Sequence, residues 1–283
     1  MKPTELNETI RKTVETLANE TDAARQSELF KDYLRAASLF WSYSFGNCLL
    51  IWSQRPTATR VAGYRTWQKL NRYVRKGEKA IHILAPMVFR DKRQADADGL
   101  VTEERQRIWF KPVCVFDLAQ TDGQPLPDLP QTYAGDPGAL ESSLLALAAA
   151  HGIVVEFGST GDANGFSEEG GKHIVVSEAL NPAGRASVLV HELAHSLLHF
   201  NKDRKVNLRQ RELEAESVAY VVGSHFGLET RADMYLASYG VKAADLLESL
   251  PIIQKTAAEI IRAIEGDSKA AVESDEPALA ACA

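Results

Sequence analysis

Two histidines four residues apart, His191 and His195, bracket Glu192 in the apolar stretch RASVLVHELAHSLLHF. On a helix, residues four apart lie one turn above each other on one face, so both imidazoles can reach a single cation. Glu192 follows His191 by one residue, about 100° round the helix axis, which lets it address a water on that cation. This is the H-E-x-x-H spacing. A zinc ion held this way lowers the pKa of its water to about 7, and the carboxylate removes the proton as the water attacks a carbonyl. The competing reading, histidines packed in an apolar core, leaves a carboxylate without a partner, which is costly. His/His/carboxylate sites accept several divalent ions, so zinc is the expected cofactor and another divalent ion is an alternative.

A catalytic zinc usually has three protein ligands. His199 continues the same face but lies about 12 Å along the axis from His191 at 1.5 Å per residue, too far to share an ion while the helix persists; packing is its expected role, and an outer contact to a ligand histidine is the alternative. The third ligand is therefore expected from RELEAES, which carries Glu212, Glu214 and Glu216. Glu212 and Glu216 share a helix face, and Glu214 points about 200° away from Glu212. One carboxylate can bind the ion while another orients the second nitrogen of a histidine ligand. The pattern resembles the glutamate-type zincins, of the thermolysin and neprilysin kind, and that resemblance implies Glu212 as ligand and Glu216 as the orienting carboxylate. The sequence departs from it by Glu in place of Asp at 216, and by Glu214, which allows a second alignment; Glu214 and then Glu216 therefore stay open as the third ligand.

A second chemistry-bearing region lies upstream. From residue 55 to 79 there are eight cations, Arg55, Arg60, Arg65, Lys69, Arg72, Arg75, Lys76 and Lys79, against one acid, Glu78. Tyr64, Trp67 and Tyr73 interleave with them. Cations that neutralise phosphates and rings that stack on bases are what single-stranded nucleic acid requires. The blander reading is a basic solvated surface over an aromatic core. Tyr64, Trp67 and Tyr73 are the rings expected to be exposed, and Trp41, Phe45 and Trp52, in helical apolar patterns, are expected in the core.

These residues need scaffolds. Asn181 as cap and Pro182 at the first helical position start the helix that carries His191. A further helix is predicted through NLRQRELEAESVAYVVGSHFG, and two more before residue 265. IVVEFG and KHIVVSE read as strands, preceded by the helix ALESSLLALAAAHG that closes at Gly152. In the basic half, helices are predicted around Leu6–Leu17, from Ser27 as cap, over FGNCLLIWSQ and over TWQKLNRY. Two strands, KAIHILAPMVF and QRIWFKPVCVF, follow, joined by a long mobile loop. The class is α+β: a small α+β domain over 1–122, a Pro/Gly/Asp-rich linker over 123–136, a mostly helical domain with a short sheet over 137–265, and a disordered tail over 266–283. The charge changes sign across the linker. Residues 1–120 hold 20 Lys+Arg and 14 Asp+Glu, and the remainder holds 12 and 24. Such asymmetry suggests two units with different partners, one of them nucleic acid. No apolar run reaches the ~18 residues of a membrane span, and the polar start shows no secretory signal. Three widely spaced cysteines suggest no disulfide framework, which fits a cytoplasmic protein.

The order SFGNCLLIWSQRP, VAGYRTWQKLNRYVRKGEKAIHIL and VFDLAQTDG, followed by LVHELAHSLLH and RELEAESVAYVV, resembles the ArdC-type antirestriction proteins over about residues 5–260. The first group resembles their N-terminal domain, the second a zincin-like domain related to the ImmA/IrrE metallopeptidases. The resemblance implies a single-stranded-DNA-binding domain joined to a metallopeptidase fold, and carriage on mobile genetic elements. The alternative is a regulatory metalloendopeptidase that cleaves a repressor or other protein, with the basic domain as adaptor.

Overall fold

The computed structural model describes residues 1–19, 23–90, 106–126, 137–168, 170–200, 204, 206–228 and 243–266. The expected linker beyond 126, the loop 91–105, the tail beyond 266 and the stretch 229–242 lie outside the described residues. The fold is of the α+β class. Contacts group it into two compact units, one of Met1–Lys12 with Leu50–Pro125, the other of Thr13–Leu49 with the described residues from Leu126 onward. The division therefore falls inside the first and third helices, α1 (Pro3–Asn19) and α3 (Phe45–Gln54), whereas the linker reading puts all residues before 123 together. The second helix, α2 (Ala23–Leu39), begins four residues before Ser27, which is consequently a helical residue and not a cap.

In the first unit, β1 (Val61–Gly63), β4 (Gln106–Asp117) and β3 (Ile81–Arg90) form an antiparallel sheet in the order β1-β4-β3. Ile81 pairs with Val115 and Met87 with Trp109. Ile81, Ile83 and Ala85 alternate inward along β3, the period-two burial of a strand with one covered face. A short helix, α4 (Tyr64–Lys69), follows β1, and β2 (Arg72–Val74) pairs with β5 (Thr121–Gly123). Asp117, at the end of β4, is buried and holds this region together. Its carboxylate accepts the backbone N–H groups of Thr59 at 2.9 Å, Arg60 at 3.1 Å and Ala119 at 3.1 Å. Three such bonds offset the cost of burying the charge.

In the second unit, β6 (Val154–Gly158) runs parallel to β8 (His173–Ser177), and β7 (Gly165–Ser167) runs antiparallel to it, in the order β6-β8-β7. Helices α5 (Pro137–Ala150) and α6 (Pro182–Leu198) pack against each other, and α7 (Leu208–His225) packs on α2, α6 and α8 (Ala243–Glu265). The turn from α5 to β6 passes through Gly152 at φ +65°, a left-handed conformation that glycine adopts without a Cβ clash. Leu140, Leu144, Ile174, Leu189, Leu193 and Val222 are among the fully buried side chains. Of the two helices expected after residue 226, α8 is the one that falls within the described residues. Cys48 is buried, and its thiol is free. Among the described residues no helix is long and apolar enough to cross a membrane.

Candidate metal centre and cationic surface

Helix α6 starts where the sequence sets it. The Asn181 side chain accepts from the Gly184 N–H at 2.8 Å, and Pro182 takes the first turn. Asn207 caps α7 in the same way through Gln210 N–H at 2.9 Å. The two helices present their polar residues to each other. His191 Nε2 and His195 Nε2 lie 3.0 Å apart. Glu212 brings one carboxylate oxygen within 3.6 Å of His191 Nε2 and the other within 3.6 Å of His195 Nε2. Two imidazole nitrogens and a carboxylate oxygen thus fall within 4.8 Å of one another. Lone pairs on two nitrogens this close repel unless a proton or a cation stands between them, so the donor set fits a divalent ion in both chemistry and spacing.

The electrostatics agree. Burial pulls the His191 pKa down, but hydrogen bonding to Glu212 and Glu216 outweighs it and raises the group to about 9. Glu212 is held well below the usual carboxylate range by His191 and His195. The cluster therefore draws positive charge to the point where the three side chains meet.

Around this point the carboxylates take different places. Glu216 sits 3.1 Å from His191 Nδ1, the ring atom facing away from the convergence. Glu214, the alternative ligand of the sequence reading, does not join the other three. It is fully buried and bonded to His199 Nε2 at 3.1 Å, to both terminal nitrogens of Arg204, and to Ser249 Oγ at 2.5 Å. Those bonds, with Arg204 second in weight only to burial, carry its pKa down to about 2 although burial opposes them. Glu192 is buried and accepts a hydrogen bond from Ser167 Oγ at 2.7 Å. That partner, on β7, was not found from the sequence, because a three-residue strand leaves no periodic signal. Neighbouring Gly165 marks the close approach of strand to helix: a Cβ there would meet Val188 Cγ1 at 2.6 Å and Glu192 Cγ at 3.5 Å.

The cations of the segment differ in exposure and in bonding. Arg65, Lys69, Lys76 and Lys79 are exposed, and Arg60 is half-buried. Three others are tied into the fold. Arg55 lies 3.5 Å from the Asp117 carboxylate. Arg72 donates to Thr121 Oγ1 at 2.8 Å and to Thr121 O at 2.9 Å. Arg75, itself exposed, pairs with Glu78 at 2.7 Å and Asp122 at 3.4 Å. Tyr73 and Tyr64 are exposed, at 56% and 41%. Trp67, expected beside them as a stacking ring, is corrected: it is fully buried, and its indole N–H donates to Phe116 O at 2.9 Å. A large ring on a short helix over a small sheet is needed for the core, and composition could not show this. Exposed rings near this segment in sequence that the sequence reading did not single out include Trp109 and Phe110, at 62% and 55%, on β4.

Comparison with known proteins assigns the two parts. Residues 4–116 match the N-terminal domain of anti-restriction factor ArdC, and residues 148–232 match the IrrE N-terminal-like domain. The chain is an ArdC-type two-domain protein, an ArdC N-terminal domain followed by an IrrE-like metallopeptidase-family domain. Among curated relatives, it is 26% identical over 295 residues to the Bacillus anthracis uncharacterized protein pXO2-81, covering 87% of this chain and 50% of that protein. It is 33% identical over 96 residues to the Sinorhizobium fredii uncharacterized protein y4eC, covering 31% of each. The chain thus spans half the length of the first relative and about a third of the second. Two crystal structures of antirestriction ArdC from plasmid R388 are similar in fold, each with a TM-score of 0.49. The metal-free one is 20% identical and aligns over 79% of this chain and 85% of that one; the Mn(II)-bound one is 18% identical over 93% and 98%.

Proposed function

We propose that this chain is an antirestriction-type protein that binds single-stranded DNA through its first unit and carries a divalent-metal hydrolytic centre in its second. One observation carries the second half: His191, His195 and Glu212 converge from two helices onto one point. On this reading those three side chains hold the ion, zinc or another divalent cation such as manganese. When bound, it supplies a Lewis acid and lowers the pKa of a water. Glu192, fixed by Ser167, is the base that takes the proton of the attacking water and returns it to the leaving amine. Glu216 keeps a proton on His191 Nδ1, leaving Nε2 free to coordinate.

The exposed Arg65, Lys69, Lys76 and Lys79 neutralise phosphates, and Tyr64 and Tyr73 offer faces on which bases stack. Metal content measured by mass spectrometry, with oligonucleotide binding followed by fluorescence anisotropy, tests both halves. The expected result is about one ion per chain in the wild type and none in Glu212→Ala, with DNA affinity unchanged by that substitution. A chain that binds no divalent ion at neutral pH would remove the hydrolytic reading. Glu192→Gln separates the roles further. It keeps the ion and abolishes peptide hydrolysis, and restriction evasion survives in that variant only if DNA binding suffices.

A further inference from the structure

His199 ends α6 as its C-terminal cap, and its side chain turns back onto the helix it terminates. Its Nδ1 lies 2.9 Å from His195 Nδ1, and its Nε2 lies 3.1 Å from a Glu214 oxygen. His199 and Glu214 are both buried. The chain of contacts continues from Glu214 to Arg204, to Ser249 on α8, and from Ser249 to Gln210 Nε2 at 3.2 Å. Packing, the first of the two roles expected for His199, does not require polar contacts at both ring nitrogens; an outer contact to a ligand histidine, the second, does.

We propose that His199 and Glu214 are positioning residues that fix the tautomer of His195. Glu214 accepts at both oxygens: Arg204 Nη1 donates to the oxygen that faces His199, and Arg204 Nη2 and Ser249 Oγ donate to the other, so Glu214 offers His199 an acceptor. His199 must therefore carry its proton on Nε2. A neutral imidazole with Nε2–H has a lone pair at Nδ1, so His199 Nδ1 is an acceptor. Of two ring nitrogens 2.9 Å apart one must donate, and that leaves His195 with its proton on Nδ1. His195 Nε2 is then an unprotonated donor atom aimed at the convergence with His191 and Glu212. The two histidines at that convergence are thus set by different carboxylates, His191 by Glu216 directly and His195 by Glu214 through His199. The inference rests on the metal reading of that convergence, but the tautomer it assigns belongs to the metal-free protein too.

The experiment uses the full chain with 15N-labelled histidine. Long-range 1H–15N correlation spectra of the metal-free protein report which ring nitrogen of His195 is protonated, and competition with a chromogenic chelator reports Zn(II) affinity. The expected spectrum has the His195 proton on Nδ1. In His199→Phe, which keeps the ring volume and removes both nitrogens, the His195 proton should redistribute between the two nitrogens. Zn(II) affinity should fall about 10–100-fold, the range for losing an outer partner of a ligand. His199→Gln supplies an acceptor oxygen and a donor N–H in the same order and should hold affinity within about threefold of the wild type. Equal losses in Phe and Gln variants, or an unchanged His195 tautomer in His199→Phe, would overturn the proposal. So would a wild-type His195 protonated on Nε2, a result available even where a variant fails to fold. A wild type that shows the assigned tautomer yet binds no Zn(II) would instead end the metal reading and leave the tautomer assignment standing.

Discussion

Around His191 the ionisable side chains converge, with nitrogen and oxygen atoms 3.0 to 3.6 Å apart. Between Arg55 and Lys79 they spread out, some bonded into the fold and most exposed, without a common focus. The contrast shows two ways for a protein to use charge. A coordinating site is made by direction: three side chains from two helices must point at one place, so losing one should remove most of the affinity. An electrostatic surface is made by number: each exposed cation contributes a similar, screened share.

The sharpest way to break the contrast is to remove single residues from each region. On the proposed reading, Glu212→Ala lowers divalent-ion affinity at least about 100-fold, measured by chelator competition, because one of three ligands is lost. A loss of a few fold would place this site in the additive class. An effect of comparable size separates structure from binding among the rings. Trp67→Ala should destabilise the first unit by about 3–5 kcal/mol in denaturant unfolding, as a fully buried aromatic does. Tyr73→Ala should leave stability within about 0.5 kcal/mol and weaken single-strand binding by about 1–3 kcal/mol.

Acid titration of the second unit follows in size. The Glu214 carboxyl is lowered from 4.5 to about 2 in the folded chain, so as pH falls the unfolded chain takes up its proton first. That contribution to stability is complete above about pH 4.5 and is lost between there and about pH 2. It amounts to about 3 kcal/mol, and Glu214→Gln should flatten that part of the stability profile. The smallest effect is the most specific to a surface made by number. Replacing Lys76 by Ala should reduce the slope of log affinity for a single strand against log salt by about 0.7, and replacing Lys79 as well should double the change. No change in slope would show that these cations do not meet phosphates.

How much of this was legible in the sequence depends on how local the determinant is. The caps Asn181 and Pro182, the His191/His195 spacing and the face shared by Glu212 and Glu216 are short-range, and each takes the place that helix geometry predicts. The separation of Glu214 from that face was also a matter of helix angle, but its partners Arg204 and Ser249 come from elsewhere in the chain. No spacing rule reaches them. Trp67 fails as a stacking ring for the complementary reason. Its six-residue helix is too short to show which side faces the sheet, and only the bond to Phe116 settles its direction. Likewise, which cations are tied into the fold could be decided only after Asp117, Thr121 and Glu78 were seen to take up three of them.

The Glu212 carboxylate and the two imidazoles belong to α7 and α6, so neither helix contains the constellation by itself. A cation seated there would rivet one helix to the other, and assembly of that pair and capture of the ion become one equilibrium. At an ion concentration a thousand times its dissociation constant, the linkage adds about 4 kcal/mol to the folded state. Chelation would then loosen the helix pair as well as silence its chemistry.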